Sequence, residues 1–144
     1  MKEQKSLLGQ LARVDDVYLG FVCVLHITVQ LCYCFVMAFT DYDVSRYAFY
    51  TWFYGVSSLV IVGIAAALIA CVAKSGGIYK QIPLLIVLVC AQSVAAVVDV
   101  AFAAQHGGWW DDGYVWVALE IGFIATYARR LIVLRVLKGA AENA

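Results

Sequence analysis

Residues 81–104 read QIPLLIVLVCAQSVAAVVDVAFAA, and residues 114–134 read YVWVALEIGFIATYARRLIVL. Each stretch reaches the roughly 20 residues that a helix needs to cross about 30 Å of hydrocarbon. Each also carries one acid, Asp99 in the first and Glu120 in the second, several residues from the turn that joins them. An acid inside hydrocarbon is costly, so these two residues predict a functional or assembly role.

The composition of the chain is that of an integral membrane protein. Hydrophobic residues make up 65% of the 144 and charged residues 14%, against about 45–50% and about 25% in soluble domains. The mean hydropathy is +0.87, and there is one proline. No segment of the sequence alternates between polar and apolar residues as the strands of a membrane β-barrel do. The formal net charge is zero, so nucleic acid, which requires a basic face, is not an expected partner.

Four apolar segments predict an all-α, four-helix transmembrane bundle that runs up-down-up-down with short loops. The predicted helices cover residues 17–39, 49–73, 82–104 and 114–137 of one domain spanning 1–144. A cytoplasmic arm, residues 1–16, precedes them, and residues 138–144 form a cytoplasmic tail. Within the arm, leucines at helical spacing leave open a short amphipathic helix on the membrane surface or an ordinary N-terminal arm.

The distribution of lysine and arginine predicts the orientation. Nine of the ten basic residues fall before the first segment, between the second and third, or at the end of the fourth, and Arg46 alone falls on the other side. The side with more basic residues faces the cytoplasm, so both termini are expected there.

Polar residues form stripes on two of the predicted helices. His26, Gln30 and Tyr33 lie along one stripe of the first helix, while Gln92 and Asp99 share a face of the third. Such faces point into a bundle, because a lipid-facing polar group would lack hydrogen-bond partners. Glu120 is about 200° around its helix from the small residue Ala118 at about 100° per residue. The helical faces of the two acids therefore need not converge, and the sequence leaves open whether they share one site or form two.

Three roles for the acids remain open. They can be neutral and hydrogen-bonded to a partner such as Gln30, His26 or a tyrosine. They can contact a polar or basic group of another chain and direct assembly. They can relay protons or bind a cation, as intramembrane acids do in pumps and transporters.

Small residues mark predicted helix-packing faces. Small side chains let helix backbones approach closely in a membrane. On the second helix they can serve packing within the chain, which is favoured, or packing against a partner helix. The residues are Gly63, Ala67, Ala95, Ala103 and Gly122.

Basic residues cluster at the end of the fourth segment, where long side chains reach the interface. They are predicted to bind anionic lipid headgroups. These residues are Arg129, Arg130, Arg135 and Lys138.

No nucleophile elbow, phosphate-binding loop or dinucleotide-binding motif occurs in the sequence. The five cysteines all fall inside apolar segments and have no metal-ligand spacing. No cofactor, metal site or catalytic residue is predicted, although a membrane-embedded enzyme acting on a lipid remains a third functional class.

Residues 54–94, YGVSSLVIVGIAAALIACVAKSGGIYKQIPLLIVLVCAQSV, and residues 124–131, IATYARRL, resemble small four-helix proteins related to the lysosome-associated transmembrane family. The chain lacks the proline-tyrosine tail motifs that some members use to recruit ubiquitin ligases. The resemblance implies a non-enzymatic protein of the endolysosomal or plasma membrane that organises other membrane proteins.

The sequence therefore predicts a multi-pass organiser, adaptor or accessory subunit whose partners are the lipid bilayer and other membrane proteins or further copies of itself. The alternative is a small proton- or cation-coupled transporter or channel subunit that uses the intramembrane acids. A bundle cavity containing both acids would favour this alternative.

Overall fold

The computed structural model describes residues 2–39, 48–74, 78–106 and 113–142, and the regular structure in these ranges is entirely α-helical. Helix α1 is Lys2–Phe39, α2 is Ala48–Ala73, α3 is Ile78–His106 and α4 is Gly113–Glu142. The predicted all-α class with four helices is confirmed.

Three of the helices extend well beyond their predicted bounds. Helix α1 starts at Lys2 rather than at residue 17, so residues 2–16 continue the first helix instead of forming a separate one. Lysine, glutamate, glutamine and leucine in this segment are good helix formers. Helix α4 continues to Glu142 through most of the predicted tail. Helix α3 begins four residues before its predicted start, so Pro83 lies inside it.

Side-chain contacts show that neighbouring helices run in opposite directions. Asp15, near the start of α1, pairs with Arg130 of α4, and Tyr33, near the end of α1, packs on Trp116 of α4. Helix α2 contacts both α1 and α3, and α3 contacts α4. The four helices therefore form a closed ring of antiparallel neighbours, and their inward faces meet along one axis.

The core along this axis is apolar in its middle and carries polar groups on either side. Its largest fully buried apolar side chains include Leu19 of α1, Leu68 of α2 and Leu88 of α3. Burial of one such side chain contributes about 1.5–3 kcal/mol in water. The other members of the contiguous hydrophobic cluster are Val22, Cys23, Ile61, Ala65, Leu85, Phe123, Tyr127 and Leu134.

Three of the described helices are long and apolar enough to cross a membrane. The candidate spans are Ala12–Phe35, Trp52–Ala73 and Lys80–Phe102. Helix α4 is not among them, because Glu120, Arg129 and Arg130 all fall within its first 18 residues.

The outside of the bundle is strongly apolar, whereas several buried side chains are polar. Val17 and Trp52 are more than 70% exposed. In contrast, His26, Gln92 and Arg130 are almost completely buried. Large apolar patches on a protein surface indicate contact with lipid or with another protein.

Candidate functional site

Asp99 and Glu120 meet in one site, which decides a question that the sequence leaves open. Their carboxyl groups lie next to each other between α3 and α4, and both line one cavity. The small residues of α4 do not lie on the bundle side. Ala118 and Gly122 are instead exposed, and Glu120 is buried.

A tyrosine from a third helix completes the acid pair. The Tyr54 hydroxyl of α2 donates a hydrogen bond to Oδ1 of Asp99. Tyr54 is buried and contacts the edge of the Tyr33 ring, with the two ring centroids 5.4 Å apart. Tyr33 also packs edge-on against Trp116 of α4, with the centroids 4.8 Å apart. Aromatic rings from α1, α2 and α4 therefore surround the two acids.

The acids line a cavity between the four helices with a volume of about 30 Å³. A cavity needs roughly 10–15 Å³ by this measure to hold a water molecule. Apolar walls are contributed by residues such as Ile61 and Phe123. The polar side chains that line the cavity are Gln30, Tyr33, Tyr54, Ser57, Gln92, Asp99 and Glu120.

Two of the buried polar groups on this cavity lack hydrogen-bond partners among the described residues. They are the side-chain amide of Gln92, at both Nε2 and Oε1, and the Oε2 atom of Glu120. Gln92 is 0% exposed. A buried polar group without a hydrogen-bond partner lowers the stability of a protein by about 1–3 kcal/mol. These groups are therefore expected to form hydrogen bonds with a bound molecule.

His26 lies next to the cavity, at the centre of a second polar cluster. Its ring stacks on Phe123 of α4 with centroids 3.9 Å apart, and its Nδ1 atom lies 2.8 Å from the Tyr127 hydroxyl. The Nε2 atom of His26 is 3.4 Å from Nε2 of Gln30. Since an amide nitrogen can only donate, the ring hydrogen is on Nδ1 and points to Tyr127. Tyr127 also hydrogen-bonds with Cys23.

Gln30 connects the histidine cluster to α2. Its Oε1 atom accepts a 2.7 Å hydrogen bond from Ser58, while its amide nitrogen faces His26. Gln30 also lines the acid cavity. The polar residues predicted on the first and third helices, His26, Gln30, Tyr33, Gln92 and Asp99, are therefore brought together by the fold.

A third polar cluster, which was not predicted, lies towards the other end of the bundle. Arg130 of α4 is 3% exposed and forms ion pairs with Asp15 and Asp16 of α1. It also donates a 2.9 Å hydrogen bond to Oε1 of Gln81. Arg129 pairs with the other Asp15 oxygen at 2.8 Å. The positive charges of the two arginines are thus neutralised by the negative charges of the two aspartates.

This ion-pair cluster corrects the headgroup prediction for Arg130. The side chain cannot reach a lipid headgroup because it is buried among three other helical residues. Arg129 is 55% exposed and packs over the Tyr18 ring. Arg135 is exposed and Lys138 is half-buried, so their proposed contact with headgroups stays a prediction. Asp15 and Asp16 could have been suspected, since they flank the first apolar segment directly.

The predicted helix-packing residues divide into two groups. Ala95 is buried at 3% exposure, as packing within the chain requires. Gly63, Ala67 and Gly122 are exposed, and a Cβ added at either glycine would meet nothing within 4 Å. The favoured interpretation of packing within the chain is therefore wrong for Gly63 and Ala67, while packing of these three residues against a partner helix stays a prediction. The side chain of Ala103 lies outside the described residues.

Within the described ranges, no group of three or more histidine, cysteine, aspartate or glutamate side chains could hold a metal ion. The described cysteines are free thiols. The chemistry of the site is therefore described through its carboxyl, amide, imidazole and hydroxyl groups.

Comparison of the chain with protein families, with curated proteins and with solved structures finds no match. Function is accordingly inferred from the geometry of the bundle interior. The resemblance to lysosome-associated transmembrane proteins stays a prediction.

Proposed function

We propose that this protein is a small four-span membrane protein that carries protons or a small cation by means of its acid pair. It acts either as a transporter by itself or as a subunit of a transporter or channel. The observation that supports this function is the convergence of Asp99 and Glu120 on one interior cavity. Acids that served only to hold helices together would be expected to be fully hydrogen-bonded. Here Oε2 of Glu120 is buried and accepts no hydrogen bond from a donor among the described residues.

Membrane insertion of α4 is part of the proposal, although α4 is not among the three candidate membrane spans of the described helices. The cost of its buried charged residues is reduced because each has a neighbouring polar group on another helix. Arg130 pairs with Asp15 and Asp16, and Glu120 lies next to Asp99. Intramembrane charges that persist usually pair in this way.

The spacing of the polar clusters fits a bilayer. Asp15 and Tyr33 are 18 positions apart on α1, which corresponds to about 27 Å along a helix axis. The ion-pair cluster would lie at one edge of the hydrocarbon, which is about 30 Å thick. The aromatic rings around the acids would lie near the other edge. Arginine and lysine favour the cytoplasmic side, so both termini are proposed to be cytoplasmic.

The interior is closed on the side of the ion-pair cluster. On α1, Leu19 lies between Asp15 and His26, and on α3, Leu85 and Leu88 lie between Gln81 and Gln92. All three leucines are buried at 1% exposure or less. An apolar layer of this kind excludes water and ions, so the bundle has the closed form expected of a carrier rather than that of an open pore.

A flux assay in proteoliposomes tests the function. Purified protein is reconstituted, and proton, sodium and potassium fluxes are measured under an imposed gradient. Flux of at least one ion above that of empty liposomes is expected, and Asp99→Asn or Glu120→Gln should abolish it. Glu142→Gln, at the end of α4, is the matched control. Background flux in the unmodified protein would refute the proposal.

A second function, organisation of other membrane proteins, is favoured by a different observation. Gly63 and Ala67 form an exposed small-residue face on α2, and Gly122 is exposed on α4. Such faces can take a neighbouring transmembrane helix. Co-purification of a membrane partner that is lost in Gly63→Leu but kept in Asp99→Asn would support this function. The endolysosomal or plasma membrane is the proposed location, and an epitope tag after Ala144 tests the orientation.

A further inference from the structure

The unpartnered groups on the acid cavity together define a small hydrogen-bonding site. The Gln92 amide supplies one donor group and one acceptor, and Oε2 of Glu120 supplies a further acceptor. Both residues line the same cavity of about 30 Å³. Gln92 is completely buried and Glu120 is 8% exposed. The site is large enough for a water molecule and too small for an organic solute.

The polar lining suits water better than a metal cation. A sodium or calcium ion is held by oxygen acceptors alone. This lining includes hydrogen-bond donors, namely the Gln92 and Gln30 amide nitrogens and the Tyr54 hydroxyl. The Tyr54 hydroxyl already donates to Oδ1 of Asp99. A water molecule both donates and accepts, and it can therefore satisfy the amide and the free carboxyl oxygen at once.

We propose that the cavity binds water between Glu120 and Gln92, that this water exchanges protons with the acid pair, and that the carried ion is the proton. This inference rests on the proposed function and names its ion. The O–H bond of the protonated carboxyl breaks as the water oxygen takes the proton, and the water releases another proton to the carboxylate of the other acid. The products are again one carboxylate and one carboxyl group, and charge is conserved. Gln92 orients the water and is a positioning residue.

The test combines ion flux with a direct measurement of bound water. Gln92→Met keeps the unbranched shape of the side chain and removes its amide, while Gln10→Met changes an exposed glutamine of α1. Proteoliposomes with a trapped pH-sensitive dye report proton flux, and sodium- and potassium-sensitive dyes report the other ions. Infrared spectra in ordinary and ¹⁸O-labelled water report the O–H stretch of buried water.

We expect proton flux in the unmodified protein, no sodium or potassium flux, and at least a tenfold loss of proton flux in Gln92→Met but not in Gln10→Met. The isotope-sensitive water band should disappear in Gln92→Met alone. Gln92→Met should remain folded, because it replaces an unpartnered buried amide by an apolar group.

Three results would overturn the inference. Sodium or potassium flux without proton flux would leave the proposed function standing and refute the proton as its ion. Full proton flux in Gln92→Met, or an unchanged water band, would refute the role of Gln92. Absence of all three fluxes would refute both the inference and the proposed function.

Discussion

Tyr54 of α2 donates its hydroxyl hydrogen to Asp99 of α3, 45 positions later in the chain. Asp99 in turn lies next to Glu120 of α4, and all three residues line the same cavity. One polar cluster therefore connects three helices at the same level of the bundle.

Removal of the Tyr54 hydroxyl should weaken this connection. We expect Tyr54→Phe to lower the free energy of unfolding by about 1–2 kcal/mol, because the ring still packs but Asp99 loses a buried donor. Thermal unfolding in detergent, followed by circular dichroism, measures the change. Tyr18→Phe is the matched control, since Tyr18 is 46% exposed. Equal stability of the two variants would contradict the importance of the contact.

The ion-pair cluster should contribute strongly to stability. Arg130→Gln leaves two aspartates without their buried partner, and we expect a loss of about 3–5 kcal/mol. The exposed Arg135→Gln should change stability by less than about 0.5 kcal/mol.

A double-mutant cycle separates this pairing from other effects of the substitution. Asp15→Asn combined with Arg130→Gln should be less destabilising than the two single changes added together, because the two residues are in contact. Additive losses would show that the pair contributes little.

Small residues on the outside and inside of the bundle should respond in opposite ways to enlargement. Gly63→Ala and Gly122→Ala should leave stability unchanged or raise it by up to about 1 kcal/mol, since alanine is the better helix former and space is open around both. Ala95→Leu should lower stability by about 1–3 kcal/mol through overpacking. A destabilised Gly63→Ala protein in its monomeric form would place this face in the core after all.

Cysteine reactivity should follow the structure. Cys90 and Cys32 are exposed, whereas Cys23 is buried and hydrogen-bonded to Tyr127. In detergent, a maleimide should modify Cys90 and Cys32 well before Cys23, as measured by mass spectrometry of timed samples. After unfolding, all three should react at similar rates. Early modification of Cys23 in folded protein would contradict the described core.

The polar stripes on the first and third helices could be predicted because helical periodicity is local. His26, Gln30 and Tyr33 recur at spacings of four and three, and a lipid-facing amide or imidazole is costly. The bundle brings these residues to the same interior. The orientation of α4 could not be predicted in this way, because small residues can face either a bundle or a neighbouring chain. Ala118 and Gly122 therefore gave the wrong inward face.

The ion-pair cluster was beyond sequence reasoning for a related reason. Asp15 and Arg130 are 115 positions apart. Each lies at the end of an apolar segment, where charged residues are common. Nothing local indicates that one arginine is buried and its neighbour Arg129 half-exposed. That difference depends on which helix face meets α1.

The sequence by itself determined the class of structure: four apolar segments form four helices, because helix periodicity and length are set by near neighbours. Only the tertiary structure decided that Asp99 and Glu120 form one site rather than two. Their meeting depends on the rotation of α3 and α4 about their own axes, which is set by the packing of all four helices. The same packing turned Gly63 and Gly122 outward and enclosed Arg130.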